Sequence, residues 1–187
     1  VETDLEEKVK LNSRKDLLIY SYRVAGTVGL MMAKILRVNS ERGLNSAIDL
    51  GIAMQLTNIA RDVIEDKKRN REYIDHNIIT IKETLKLADM FYNSSFNSIK
   101  EIPISCRFAI LVARRVYRQI GYEILKKKDL EDYERAGKIF VTNVGKIKQT
   151  FLSLFDFIIL IFLKPIRNSY NLSHEDIRKE INLNERF

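Results

Sequence analysis

Residues that break helices are scarce in this 187-residue chain, which has two prolines and seven glycines and lacks tryptophan altogether. That scarcity argues against a turn-rich β architecture, and the abundance of leucine, isoleucine, lysine and glutamate favours helices. The single cysteine, Cys106, excludes an internal disulfide and fits a reducing, cytoplasmic setting. No run reaches the roughly 20 apolar residues that a membrane-spanning helix needs. No glycine-rich phosphate loop and no Ser-His-Asp arrangement is present. Aromatic and basic residues are not interleaved, which argues against a nucleic-acid platform. His76 and His174 lie in polar stretches without matched ligands and are expected at the surface. No leader and no methionine precede Val1, so a partial chain is expected.

What is there is ordinary for a folded domain: 45% hydrophobic and 30% charged residues, with a formal net charge of +7. An excess of basic residues suits anionic lipid or a phosphorylated small molecule. The periodicity predicts amphipathic helices over about 13–36, 44–67, 78–99, 104–128 and 139–164, with Ser13 and Asp16 forming a capping box. Pro103 and Pro165 mark breaks. Residues 129–135 read as a charged stretch. The tail 165–187 is polar, apart from a short helix after Ser173.

The most informative segment spans 55–66. Steps of 3, 4 and 4 link Gln55, Asn58, Asp62 and Asp66. At about 100° per residue the helix closes three turns between the first and last, with only ~20° left over. The four polar side chains therefore share one stripe, with Glu65 beside it. Ala47 and Gly51 continue that stripe backward with almost no side chain. Two readings stand. The aspartates could face water and pair with nearby lysines. Alternatively, their oxygens could hold a hard divalent cation, with Arg61 and the basic run 67–71 taking phosphate oxygens. The amides inside a hydrophobic helix weigh against the first reading, since buried amides need partners.

The first helix carries Gly26 and Gly29 within four residues. Each costs ~1 kcal/mol relative to alanine in a helix interior. Close packing by a neighbouring helix, an apolar ligand running past, or local unwinding that aims Tyr20 or Arg23 at a ligand would each explain them.

The run Tyr20-Ser-Tyr-Arg-Val-Ala-Gly-Thr-Val-Gly-Leu-Met-Met32 and the run from Asp49 to Asp66 closely resemble two motifs of the squalene/phytoene synthase family, phytoene synthases in particular. Arg107 with Val116, Tyr117 and Gly121 is similar to a later tyrosine-bearing helix of that family. The likeness covers about 2–154. It implies an all-α prenyl synthase helical bundle, here a partial domain over 1–164. It also implies head-to-head condensation of two geranylgeranyl diphosphates to phytoene through a cyclopropyl diphosphate, dependent on Mg²⁺, with Mn²⁺ as an alternative ion. By the same resemblance Asp62 and Asp66 would be metal ligands, assisted by Asn58. Tyr20, Gln55, Arg61 and Tyr117 would act at the reacting diphosphate, with Arg71 and Arg135 binding it. Ala25, Val28, Gly29, Ala47 and Gly51 would line the channel for the prenyl tails.

The chain departs from the family pattern in two places. The family's first aspartate motif, which belongs upstream of Tyr20, is missing, so these residues alone are expected to be inactive. The family's flap motif is replaced by Arg69-Asn-Arg-Glu-Tyr73-Ile-Asp75, without its proline, which puts flap closure in doubt. Residues 151–163 are apolar apart from Ser153 and Asp156, and Lys146, Lys148, Lys164 and Arg167 flank them. A helix of that length, about 20 Å, is too short to span a bilayer. It suits either a buried helix or peripheral membrane contact through 146–167. Alternative functions are a squalene or dehydrosqualene synthase using farnesyl diphosphate, and a non-catalytic assembly factor. The latter fits less well because both aspartates are present.

Overall fold

The computed structural model describes residues 9–162 and 172–184. The expectations placed on Lys164, Pro165 and Arg167 lie outside the described residues. The chain runs through α1 (Arg14–Ser21), a π-helical turn (Tyr22–Gly26), α2 (Thr27–Ile35), α3 (Glu41–Lys68) and α4 (Ile78–Phe96). A 3₁₀ turn (Asn97–Glu101) leads to α5 (Ile104–Leu125), α6 (Leu130–Ala136), α7 (Asn143–Phe162) and α8 (Leu172–Ile177). The expected all-α class is what the described residues form. Their one sheet is a two-residue parallel pairing of β1 (Val9–Lys10) with β2 (Arg71–Glu72), in which Val9 faces Arg71.

The long helix α3 is the pillar, in contact with α1, the π turn, α2, α4 and α5. Ile48, Ile52, Ala53, Leu56 and Ala60 are fully buried along it. Side-chain caps set three starts: Ser40 accepts from the Gly43 amide, Asn77 from Thr80 and Asp129 from Asp132. Ser13 caps α1 as expected, accepting from the Asp16 amide.

The helix expected over 13–36 is continuous but locally unwound. The π turn inserts its extra residue at Tyr22–Gly26, the local unwinding that the glycines allowed. The glycines beyond it have a packing cause. A Cβ on Gly51 would stand 2.2 Å from the Ala25 carbonyl oxygen, and one on Gly29 would stand 2.2 Å from that of Ala47. Helices α2 and α3 therefore touch backbone to backbone.

The charged stretch 129–135 supplies the cap and most of helix α6. Its Asp129 cap and a single buried anchor, Tyr133, explain why hydrophobic periodicity missed it. The Tyr133 hydroxyl donates to the Ala60 and Arg61 carbonyls of α3 at 3.0 and 2.8 Å.

His174 is not at the surface, as its polar neighbours suggested. It is buried, and its Nε2 lies 3.1 Å from both carboxylate oxygens of Asp49. Ser94 donates to the same carboxylate at 2.5 Å, and the Phe91 ring packs on the imidazole. A carboxylate inside the central helix needs partners, and α8 supplies one. His76 is half-buried between Lys67 and Glu134.

Helix α7 is inverted. Its buried residues include Gln149, Ser153 and Asp156, and Arg115 of α5 donates to Asp156 at 2.5 and 2.7 Å. Phe151, Phe155, Ile158 and Phe162 are exposed on its other sides. The two polar interruptions read in the sequence are thus the points of attachment. Among the described residues, no helix is long and apolar enough to cross a membrane.

The α2–α3 contact gives a direct test. Gly51→Ala is expected to destabilise the protein by about 1–3 kcal/mol or more, because the clash is with backbone. Gly121→Ala meets only the Leu85 side chain, at 3.2 Å, and should be close to neutral. Urea denaturation of both variants measures the difference.

Candidate active site

An apolar cavity of about 480 Å³ opens between α2, α3, the 3₁₀ turn and α5. Ala25, Val28, Gly29, Ala47 and Gly51 all line it, together with Met32, Met54 and Ile110. Gly29 and Gly51 serve two ends there, admitting the neighbouring backbone and leaving the wall smooth. Gln55 also lines the cavity, so the polar stripe of α3 begins at its edge and runs away from it through Asn58, Asp62 and Asp66.

The stripe does not face open solvent. The Asp62 side chain is 18% exposed and is held by three cationic contacts. Arg61 donates to it from Nε and Nη2 at 2.8 and 2.6 Å, and Lys138 Nζ lies 3.2 Å away. Burial disfavours its charge, but the Arg61 and Lys138 contacts outweigh this and hold the carboxyl below the usual aspartate range. One turn on, Asp66 makes no hydrogen bond or ion pair to a described side chain. Burial, then the charge of Asp62, pushes its carboxyl up to about 6, with only partial relief from Arg69 and Arg71. The Asn58 Oδ1 atom is buried and has no hydrogen-bond partner. An orphaned amide oxygen, a carboxylate clasped by movable cations and a carboxyl that resists ionisation thus follow one another on one face. These are oxygen donors of the kind hard divalent cations take, and each lacks something a cation would supply. Asp62, Asp66 and Asn58 therefore fit such an ion. They would supply one wall of such a site, and no group of three acidic, imidazole or thiol side chains converges among the described residues.

The surrounding residues are placed by four elements. Tyr20 of α1 is buried, its hydroxyl 3.1 Å from that of Tyr73, with the two rings stacked at 4.8 Å. Arg71 Nη1 donates to the same Tyr73 hydroxyl at 3.2 Å. The segment after the aspartates, which departs from the family's flap motif, is therefore tied to α1 through Tyr73 and to β1 through β2. Tyr117 of α5 is close enough for its ring hydroxyl to influence the charge of Arg61. Arg135 stands apart: its side chain is 71% exposed and pairs with Glu131 on its own helix. The cation that reaches the carboxylates from this region is Lys138, 2.6 Å from Glu65 as well as close to Asp62. Sequence reading missed it, and also Tyr73 and Tyr133. The available signal was Gly137, whose φ of +63° turns the chain after α6 and brings Lys138 back to α3.

Comparison with known proteins follows the same residues. A model described as squalene/phytoene synthase matches residues 1–80, which hold the Tyr20 run and all of α3. The 15-cis-phytoene synthase of Paracoccus sp. (strain N81106 / MBIC 01143) is 38% identical over 70% of this chain and 50% of its own. Over these residues the chain is similar to the squalene/phytoene synthase family. A phytoene synthase of Pseudescherichia vulneris is 37% identical over 59% of this chain and 42% of its own. Phytoene synthase 1, chloroplastic, of Arabidopsis thaliana is 33% identical over 76% and 39%. The chain spans about half the length of the first of these relatives. The described helices are accordingly those of the family's all-α isoprenoid synthase fold.

The strain at Asp66 has a measurable sign. Its carboxyl, raised from an ordinary 3.8 to about 6, binds its proton more tightly in the folded than in the unfolded chain. Its contribution to stability is thus complete below pH ~4 and is lost as pH rises through about 6. In metal-free protein, NMR titration should place the Asp66 midpoint near 6. Asp62→Asn should lower that midpoint, and Asp66→Asn should raise thermal stability at pH 7.5.

Proposed function

We propose that the whole protein joins two geranylgeranyl diphosphates head to head, through a cyclopropyl diphosphate, to give phytoene in carotenoid biosynthesis. The observation that carries this reading is the row from Gln55 to Asp66, which leads from an apolar cavity to a cluster of buried oxygen donors and cations. The names of the relatives, all phytoene synthases among those described above, point the same way.

Asp62, Asp66 and Asn58 would hold Mg²⁺, or Mn²⁺ in its place, whose charge offsets that of the departing diphosphate. The remaining work falls to this chain's own side chains. Arg61 and Lys138, now clasped to Asp62, become free to donate to diphosphate oxygens once the carboxylate has another partner. Arg71, beside Tyr73 and Tyr20, reaches the same oxygens from the segment that follows α3. Gln55 sits where the cavity meets the polar row, at the junction between a substrate's tail and its head. Tyr117 approaches the Arg61 side of that junction from α5. The smooth wall made by Ala25, Gly29, Ala47 and Gly51 accommodates a long isoprenoid and keeps water from cationic intermediates.

The outer side of α7 supports peripheral membrane contact. Its polar residues face α5, its exposed residues are largely apolar, and Lys146 and Lys148 stand exposed near one end. A helix of this kind lies in the interface, with its apolar side in acyl chains and its lysines at anionic headgroups. An extremely apolar product would leave the protein into that same phase.

Two experiments test these readings. In the full-length protein with geranylgeranyl diphosphate and Mg²⁺, Asp62→Asn and Asp66→Asn should each lower phytoene formation on the order of 10²-fold or more. Chelation of the metal should abolish it. Products from farnesyl diphosphate alone, or undiminished activity in both variants, would overturn the assignment. In liposome flotation, the double change Phe151→Ser with Phe155→Ser removes about 1.5–3 kcal/mol of apolar transfer per ring and should release the protein from vesicles. Equal flotation of variant and parent would refute contact through α7.

A further inference from the structure

A second cavity, of about 490 Å³, lies on the opposite side of α5, between α4, α5 and α7, and shares no lining residue with the apolar cavity. Three arginines and a lysine line it: Arg114, Arg115, Arg118 and Lys148. Two of them are matched. Arg115 is held by Asp156 through two short contacts, and Arg118 by Asp89 at 2.6 and 2.8 Å. The other two are not. Arg114 is only 5% exposed, yet its partners are a backbone carbonyl and a ring. Nε and Nη2 donate to the Tyr92 carbonyl at 3.1 and 2.8 Å, and the guanidinium lies 4.8 Å from the centre of the Phe96 ring. No carboxylate is in hydrogen-bonding contact with this guanidinium among the described residues. Lys148, at the N-terminal end of α7, has no ion-pair partner among them either.

A buried cation without a carboxylate is expensive, and proteins normally pair such charges. Burial first, and then the neighbouring Arg118, lowers the Arg114 guanidinium to about 10, and the charge of Asp156, which is bound to Arg115, offsets only part of this. The planar guanidinium offers donors in the geometry that phosphate oxygens take, and Lys148 adds a point charge at the rim.

We propose that the cavity between α4, α5 and α7 is a binding site for a phosphate-bearing anion, held by Arg114 from below and Lys148 from the rim. The anion is either the headgroup of an acidic phospholipid or a soluble diphosphate. The proposal stands on the unmatched charge of Arg114 and does not depend on the reaction proposed for the other side of α5.

The test uses two probes in EDTA, so that metal-dependent binding at Asp62 and Asp66 is silent. Inorganic pyrophosphate and dihexanoyl phosphatidic acid are each titrated calorimetrically into the full protein. At least one should bind with one-to-one stoichiometry. Lys148→Glu, an exposed change that leaves the core intact, should weaken that binding about tenfold or more, the loss expected of one charge-assisted contact. Arg114→Met should weaken it further if the variant folds, and Asp62→Asn should leave it unchanged. The probe that binds identifies the source of the phosphate. Failure of both probes to saturate, or equal affinity in the parent and Lys148→Glu, would overturn the site.

Discussion

The arrangement depends on two carbonyl oxygens. Those of Ala25 and Ala47 occupy the space where Gly51 and Gly29 would otherwise carry a Cβ, so α2 and α3 meet at backbone distance. Everything near the candidate site is positioned by that approach. It lays the apolar wall of α2 along the start of the polar stripe. It also holds α3 close enough to the bundle for Asn58, Asp62 and Asp66 to lose much of their water. The π turn before α2 belongs to the same device, because an inserted residue rephases the helix so that small side chains face α3.

A helix that is both pillar and active wall carries conflicting demands. As a pillar, α3 buries Ile48, Ile52 and Leu56 and gains stability from them. As a wall, it holds Asp66 half out of water beside a second carboxylate, and leaves the Asn58 oxygen without a partner. Stability is given up at just the positions where the proposed reaction would need unsatisfied oxygen, a common trade at functional sites. The cations around Asp62 moderate the conflict while no ligand is present. Arg61 and Lys138 hold the carboxylate ionised and in place, so in the proposed reaction it would not have to be assembled when a substrate arrives.

Much of this was legible in the sequence because it is periodic. The 3, 4, 4 spacing of Gln55, Asn58, Asp62 and Asp66 fixes a shared face on any regular helix, and the glycines signalled close packing or local unwinding, both of which occur. What could not be read was set by contacts distant in sequence. Tyr133 anchors a seven-residue helix whose other side chains are mostly charged, so no apolar period announces it. Lys138 reaches α3 only because Gly137 takes a left-handed conformation. Arg135, three residues before it, has the right charge but faces out. His174 looked like a surface residue because its neighbours in the chain are polar, whereas its neighbours in space are Asp49, Ser94 and Phe91.

That last cluster bears on how the molecule is closed. Asp49 lies in the middle of the pillar helix, at a depth where a lone carboxylate would be hard to keep, and its counterpart is contributed from the far end of the chain. The short helix α8 therefore acts less as an appendage than as a stopper, completing an interior that the preceding helices leave chemically unfinished. Any version of the chain that ends before residue 174 would leave the Asp49 carboxylate without its imidazole partner in the middle of the pillar helix.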